Sequence, residues 1–262
     1  MTIDLNEKNV LVGASSKGIG LAIATQLAAC GANVTLMARD EKTLKALTEN
    51  LPNPTQKQTH RYLIVDFSDL EDFNQKLTAF FESNTVDILV NNTNGPGAGS
   101  TTELNIEQYQ QAFNLLFKTV CQTTLLAIPH MKAQKFGRII NVSSISVKEP
   151  VANLVLSNSI RSATAAWAKT LATEIAADGI TVNNIMTGYF YTERMEYLIE
   201  NEAKQTGKAS KEIKDFKESL VPMKRFGKPE EYGHLVAFLA SPYASYITGT
   251  NIPIDGGLAK GN

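Results

Sequence analysis

Cysteine and histidine are scarce in this chain, at two and three residues in 262. Cys30 and Cys121 stand apart, with no CxxC spacing and no histidine cluster beside them. Neither a disulfide framework nor a metal site is written there, and both read as small apolar groups within helical patterns. An excess of either charge is lacking too: 25 Lys and Arg against 26 Asp and Glu leave a formal net charge of −1. That balance gives no electrostatic case for nucleic acid or for an anionic membrane surface. No apolar run approaches the roughly 18 residues that cross a bilayer. Asp4, Glu7 and Lys8 precede the first apolar run, so no signal-peptide core is read, and a cytoplasmic protein is expected.

What the chain does have is a regular alternation. With 43% hydrophobic and 19% charged residues, it can bury one large core. Short, nearly all-apolar runs lie at Asn9–Gly13, Asn33–Met37, Tyr62–Val65, Asp87–Val90, Arg138–Val142, Thr181–Ile185 and Asn251–Ile254. Strands covered on both faces read this way. Helical patterns fall between them, at Gly18–Cys30, Glu41–Asn50, Asp69–Phe81, Ile106–Ala133, Asn158–Ala177 and Pro229–Ala240. In the fourth, Phe113, Phe117, Val120, Cys121, Thr124, Leu125 and Ile128 form one stripe at helical spacing. The expected fold class is α/β: a single Rossmann-type domain over residues 1–262, with about seven parallel strands and helices on both faces. The polar stretch Tyr191–Leu220 breaks the rhythm after the sixth strand. An excursion there lies where an open α/β sheet keeps its ligand crevice, so it reads as a helical lid, with an idle surface loop as the alternative.

The first strand runs into Gly13, Ala14, Ser15, Ser16, Lys17, Gly18, Ile19 and Gly20, where a helix begins. Glycines let backbone N–H groups approach a pyrophosphate at a helix N-terminus, and Ser15 and Ser16 add hydroxyls. The strand–turn–helix context turns a weak motif into a strong one. At the end of the second strand, an NAD site generally places a carboxylate for the ribose 2′-hydroxyl. Met37, Ala38 and Arg39 stand there instead, and the Arg39 guanidinium suits a 2′-phosphate, with Lys17 as a second cation. NADP(H) is therefore the expected cofactor; the plainer alternative makes both cations solvated surface charges. Asp66 and Phe67 after the third strand are placed to meet the adenine, and Asn91 to Gly95 after the fourth, with Asn92 and Asn94 among them, form a small turn-forming wall.

These landmarks, with Asn114, the run from Asn141 to Ser144, Gly188, Thr192, the run from Gly227 to Glu231, and Ile254 to Gly257, resemble the short-chain dehydrogenase/reductase family over essentially the whole chain. The nearest flavour is the β-ketoacyl-carrier-protein reductase branch. The resemblance implies a small carbonyl or alcohol substrate, an acyl thioester among the candidates, and a homodimer or homotetramer packed through the fourth and fifth helical patterns. It makes Ser144 the group that hydrogen-bonds the substrate carbonyl and Asn114 the holder of a relay water. The family's tyrosine and lysine positions, counted from Ser144, fall on Ser157 and Arg161. Arginine stays charged and cannot shuttle a proton, and a serine hydroxyl is a far poorer acid than a phenol. Tyr189, Tyr191 and Lys148 are further candidates for the proton donor. The expected activity is NADP(H)-dependent reduction of a carbonyl with a non-standard proton donor. A non-catalytic NADP(H)-binding module, and an enzyme doing non-redox chemistry on the same fold, are the alternatives.

Overall fold

The computed structural model describes residues 2–261. Seven strands form one parallel sheet in the order β3-β2-β1-β4-β5-β6-β7. The strands are β1 (Asn9–Gly13), β2 (Asn33–Ala38), β3 (Arg61–Ile64), β4 (Ile88–Asn91), β5 (Gly137–Ser144), β6 (Ile180–Thr187) and β7 (Asn251–Ile254). The chain first winds outward from β1 to β3, then restarts beside β1 at β4. The crevice where winding reverses, beyond the C-terminal ends of β1 and β4, is the ligand position of such sheets.

Helices close both faces because the strands carry apolar side chains up and down. On one face α1 (Gly18–Ala29), α2 (Glu41–Asn50) and α9 (Pro229–Ala240) cover Val10, Val12, Val34, Leu36 and Ile185, with Ile23, Leu44, Tyr232 and Val236 fully buried among them. On the other face α3 (Leu70–Ser83), α5 (Thr119–Gln134) and α6 (Val155–Ile175) pack Phe73, Leu77, Met131 and Ala168 onto Leu11, Leu89, Ile139 and Val182. Local chemistry sets the helix starts. Asp40 caps α2 by accepting from Thr43 N at 2.9 Å, and Asp69 caps α3 from Asp72 N at 3.1 Å.

Two expected helices differ from the structure. The pattern Ile106–Ala133 is not one α-helix: α4 (Ile106–Phe113) passes into a π-turn at Asn114–Lys118 before α5 begins. The wide turn shifts the phase of everything after it, so Leu125, expected within the buried stripe, is 57% exposed while Thr123 and Thr124 are buried. Helix α6 starts at Val155, not Asn158, and so takes Ser157 into its first turn. The stretch expected as a helical lid folds as α7 (Glu193–Thr206) and α8 (Ser210–Leu220), which enclose a small separate core of Ile199, Ile213 and Phe226.

Candidate active site

Ala14 turns through φ 41°, in the region L residues avoid, and thereby takes the place of the first loop glycine. Gly13 and Gly20 are required by crowding: a Cβ on Gly13 would lie 2.3 Å from Asn92 O, and one on Gly20 would lie 2.3 Å from Ala14 O. Asn92 then pins the loop from beneath, its Nδ2 donating to Gly13 O at 3.1 Å. Ser15 braces it from the side. Its buried Oγ donates to Val12 O at 2.8 Å and accepts from Met37 N at 2.9 Å. The expectation that Ser15 lends a hydroxyl to a phosphate is thereby corrected, because both roles of that hydroxyl are already taken within the fold.

The loop delivers α1 with its first N–H groups bare. Lys17 at the N-cap makes no side-chain cap, and the first turn carries no acid. The helices α2, α3, α4 and α7 are each capped by a side-chain oxygen, while α6 and α8 share with α1 a start that has none. An uncapped helix start with a positive dipole end fits a phosphate, so the cradle around Gly13, Ser16, Gly18, Ile19 and Gly20 suits a dinucleotide. Arg39 is exposed at the end of β2, 3.7 Å from Asp66. Hydrogen bonds from Ser68 hold the Asp66 carboxyl below its ordinary range, with Arg39 contributing. Phe67 departs from expectation. Its ring is largely buried, 5.4 Å from Phe73, and the residue lines a hollow together with Ser68 and Gly95, so any contact with adenine falls to its edge or backbone and not to an exposed ring face. Asn94 lies exposed in the loop after β4.

At the opposite side of the crevice, Ser144 ends β5 in register with Thr187 on β6. Its Oγ accepts from Ser146 N at 3.1 Å, which leaves the hydroxyl proton free to donate outward. Ser157 is half-buried in the first turn of α6, and Arg161 lies one turn on. Arg161 Nη1 donates to Val142 O at 2.7 Å, just past the last β4–β5 pairing at Asn91 and Asn141. Burial lowers the Arg161 pKa, yet a guanidinium remains charged at neutral pH. Asn114 opens the π-turn and accepts from Gln110 Nε2 at 2.9 Å. It lines a hollow of about 510 Å³ with Gly95, Gly97 and Leu156. Ser144, Arg161 and Asn114 thus each face a different hydrogen-bond partner.

Gly188 packs against Asp255, where a Cβ would come within 2.6 Å of its Cα. Thr192 caps α7 from Met195 N at 3.3 Å, and its Cγ2 would lie 3.6 Å from a Cβ on Gly18. The start of the lid therefore packs against the glycine loop. Lys17 Nζ donates at 2.6 Å to Glu193 Oε2 in the first turn of α7. Of the other candidate acids, Tyr189 lines a hollow of about 360 Å³ beside Asp255 and Gly256. Tyr191 stacks on Phe226 at 6.3 Å, and Glu196 raises its pKa. No cluster of three His, Cys, Asp or Glu able to hold a metal occurs among the described residues, and no helix described is long and apolar enough to cross a membrane.

Sequence reasoning missed a buried polar ladder. Asn91 Nδ2 donates to Asn141 Oδ1 at 2.9 Å, Asn141 Nδ2 to Asn184 Oδ1 at 2.8 Å, and Asn184 Nδ2 to Asn251 Oδ1 at 2.8 Å. The four asparagines stand in register across β4, β5, β6 and β7. A cavity of about 10 Å³, the size of one water, lies between this ladder and Arg161. Thr187, which stands before Gly188 where the resembled family has a proline, turns its hydroxyl to the buried Tyr232 hydroxyl at 3.1 Å.

A doubly wound parallel sheet with a glycine loop at its first turn defines the class, and the comparisons with known proteins agree. The family model described as enoyl-(acyl carrier protein) reductase matches residues 13–259, and the chain belongs to the short-chain dehydrogenase/reductase family. Among its relatives is the NADPH-dependent reductase BacG of Bacillus subtilis, 30% identical over 98% of this chain and 99% of that one. The 3-oxoacyl-[acyl-carrier-protein] reductase FabG of Aquifex aeolicus is 29% identical over 98% of this chain and all of its own. Among solved structures, L-sorbose reductase from Gluconobacter frateurii, complexed with NADPH and L-sorbose, superposes with a TM-score of 0.92 at 29% identity, covering 100% of both chains.

Proposed function

We propose that the chain is an NADP(H)-dependent reductase that converts a carbonyl, of the 3-oxoacyl-thioester or a related ketone type, to an alcohol without the usual tyrosine as acid. The observation that carries this reading is the uncapped start of α1 just beyond the C-terminal end of β1, with Ser144 at the C-terminal end of β5 in the same parallel sheet. The kinship with NADPH-dependent reductases supports it. Gly13, Ser16, Gly18, Ile19 and Gly20 would hold the pyrophosphate, Arg39 and Lys17 the 2′-phosphate, and Asp66, Asn92, Asn94, Gly188 and Thr192 the remainder of the nucleotide.

When bound, NADPH supplies the hydride. Ser144 would hold the carbonyl oxygen, because its Oγ accepts from Ser146 N and its own hydroxyl proton is left to donate. Arg161 keeps a fixed positive charge behind the site and steadies the oxygen as negative charge develops on it. It carries no proton to the product. The proton that completes the alcohol comes from water through the Ser157 hydroxyl, with Asn114 at the rim of the solvent hollow. A relay of this kind is slower than a positioned phenol by about 10²–10⁴-fold. Leu125, 57% exposed on α5, belongs to the face through which a homodimer or homotetramer would form.

The test is NADPH oxidation with 3-oxoacyl thioesters, diketones and simple ketones, compared with Ser144→Ala. Turnover that falls about 100-fold in the variant supports the reading. Nucleotide binding with no turnover above the Ser144→Ala control supports the alternative of a non-catalytic NADP(H)-binding module. The engagement of Arg161 with Val142 O favours that alternative, since it draws one arm of the guanidinium away from the crevice.

A further inference from the structure

The two cations at the nucleotide end of the crevice are each matched to a carboxylate, and the two matches differ in kind. Arg39 stands 3.7 Å from Asp66, a loose pairing, and Asp66 is also held by Ser68. Lys17 donates to Glu193 at 2.6 Å, a short charge-assisted bond. Glu193 comes not from the sheet but from the lid, one residue past Thr192, which packs on Gly18. The lid thus sets a negative charge against the one lysine of the phosphate loop.

We propose that Glu193 is a specificity-determining residue that competes with the nucleotide's 2′-phosphate for Lys17 and so lowers the preference for NADPH over NADH. The inference rests on the reading of the crevice as an NADP(H) site. A phosphate that recruits the Lys17 ammonium must displace the carboxylate or share the ammonium with it. Either way Glu193 opposes the 2′-phosphate, which NADH does not carry. Both side chains are about two-thirds exposed, at 65% and 66%, so the opposition is modest. Exposed pairs contribute up to about 1 kcal/mol, which converts to about fivefold in affinity.

The experiment is a paired titration of NADPH and NADH against the wild-type chain, Glu193→Gln, Lys17→Met and the double variant, at low and at physiological salt. Removing the Glu193 charge is expected to tighten NADPH about threefold while leaving NADH within twofold. The gain is expected to vanish in the Lys17→Met background and to shrink with added salt. Unchanged or weaker NADPH binding by Glu193→Gln overturns the proposal, as does an equal gain for NADH or a gain that survives without Lys17. Binding of neither nucleotide by the wild-type chain overturns the site reading itself, and with it this inference. The two failures are therefore distinct. Thermal unfolding of each variant reports whether it is folded, and the exposure of both side chains means that it should be.

Discussion

Gly20 sets two physical rules against each other, and replacing it with alanine decides between them. It is the third residue of α1. On helix propensity alone, Gly→Ala in a helix stabilises by about 1 kcal/mol. The structure reverses the sign. A Cβ at this position would meet Ala14 O at 2.3 Å and Asn92 Nδ2 at 2.8 Å. The first is a backbone atom on a turn already held at φ 41°, and the second is bonded to Gly13 O. Neither gives way freely, so the loop must shift by about an ångström, and overpacking of this kind costs about 1–3 kcal/mol. After the propensity gain, the net loss is about 0–2 kcal/mol. At roughly 2–4 °C per kcal/mol for a chain of this size, Tm falls by up to about 8 °C. Differential scanning fluorimetry measures it, with Gly95→Ala as the control, since a Cβ there meets nothing within 4 Å. Nucleotide affinity should fall in step, because Ala14 and Asn92 shape the phosphate cradle. A higher Tm for Gly20→Ala, as helix propensity alone demands, would refute the account of why a glycine stands there.

Three further outcomes follow from named contacts. Asn184→Leu should cost about 1–3 kcal/mol, because it leaves the buried Asn141 Nδ2 without its partner inside the sheet; urea unfolding reads it, and a loss under about 1 kcal/mol would mean the ladder is idle. Tyr232→Phe should lower stability by about 1 kcal/mol, since the buried hydroxyl both meets Thr187 and donates to Ile185 O at 3.4 Å, and the same unfolding assay checks it. Arg225, paired through both its Nη atoms, and the Lys228 amide hold the Glu231 carboxyl down at about 2. A depressed carboxyl stabilises the fold above its unfolded pKa, near 4.5, and that stability is lost as pH falls toward 2. Glu231→Gln should therefore lower Tm slightly at pH 7, by no more than a few degrees for so exposed a pair, with the gap to wild type closing below about pH 4.

Elements that close on a local signal were legible in the sequence. β1, β7, α2 and α9 have the bounds their residues announce, through an apolar run that ends at a turn, the Asp40 cap, or Pro229 at a helix start. The glycine loop was legible for the same reason, since strand, turn and helix follow each other directly. What was not legible depends on distance. The π-turn at Asn114 has no local marker, and it moved Leu125 off the stripe that a uniform helix would give it. Ser15 reads as a free hydroxyl until β2 brings Met37 beside it, and Phe67 reads as a surface aromatic until α3 lays Phe73 against it. The asparagine ladder carried a signal that could have been used: an asparagine at the close of three expected strands and another at the start of the last, at heights that parallel pairing aligns. Periodicity searches seek apolar residues and pass over it.

The substituted positions argue about history as well as chemistry. A site that has merely decayed leaves buried polar groups unpaired, because nothing selects partners for them, and each such orphan costs about 1–3 kcal/mol. Thr187, where the family keeps a proline, has its hydroxyl paired with Tyr232. Arg161, where the family keeps a lysine, has an arm seated on Val142 O where β4 and β5 part. Asn141 and Asn184, behind it, are each bonded on both sides. Among the described residues, the buried side-chain atoms without a partner are Asn74 Oδ1, on α3, and Ser146 Oγ, two residues from Ser144. The replacements are thus accommodated, and the orphan that remains near the crevice sits beside the residue proposed to touch substrate. Unpaired polar groups persist where function holds them. Pairing of the replaced groups is what stability alone requires, so turnover above the Ser144→Ala control is what separates a rebuilt proton route from a cradle that has kept its nucleotide and lost its chemistry.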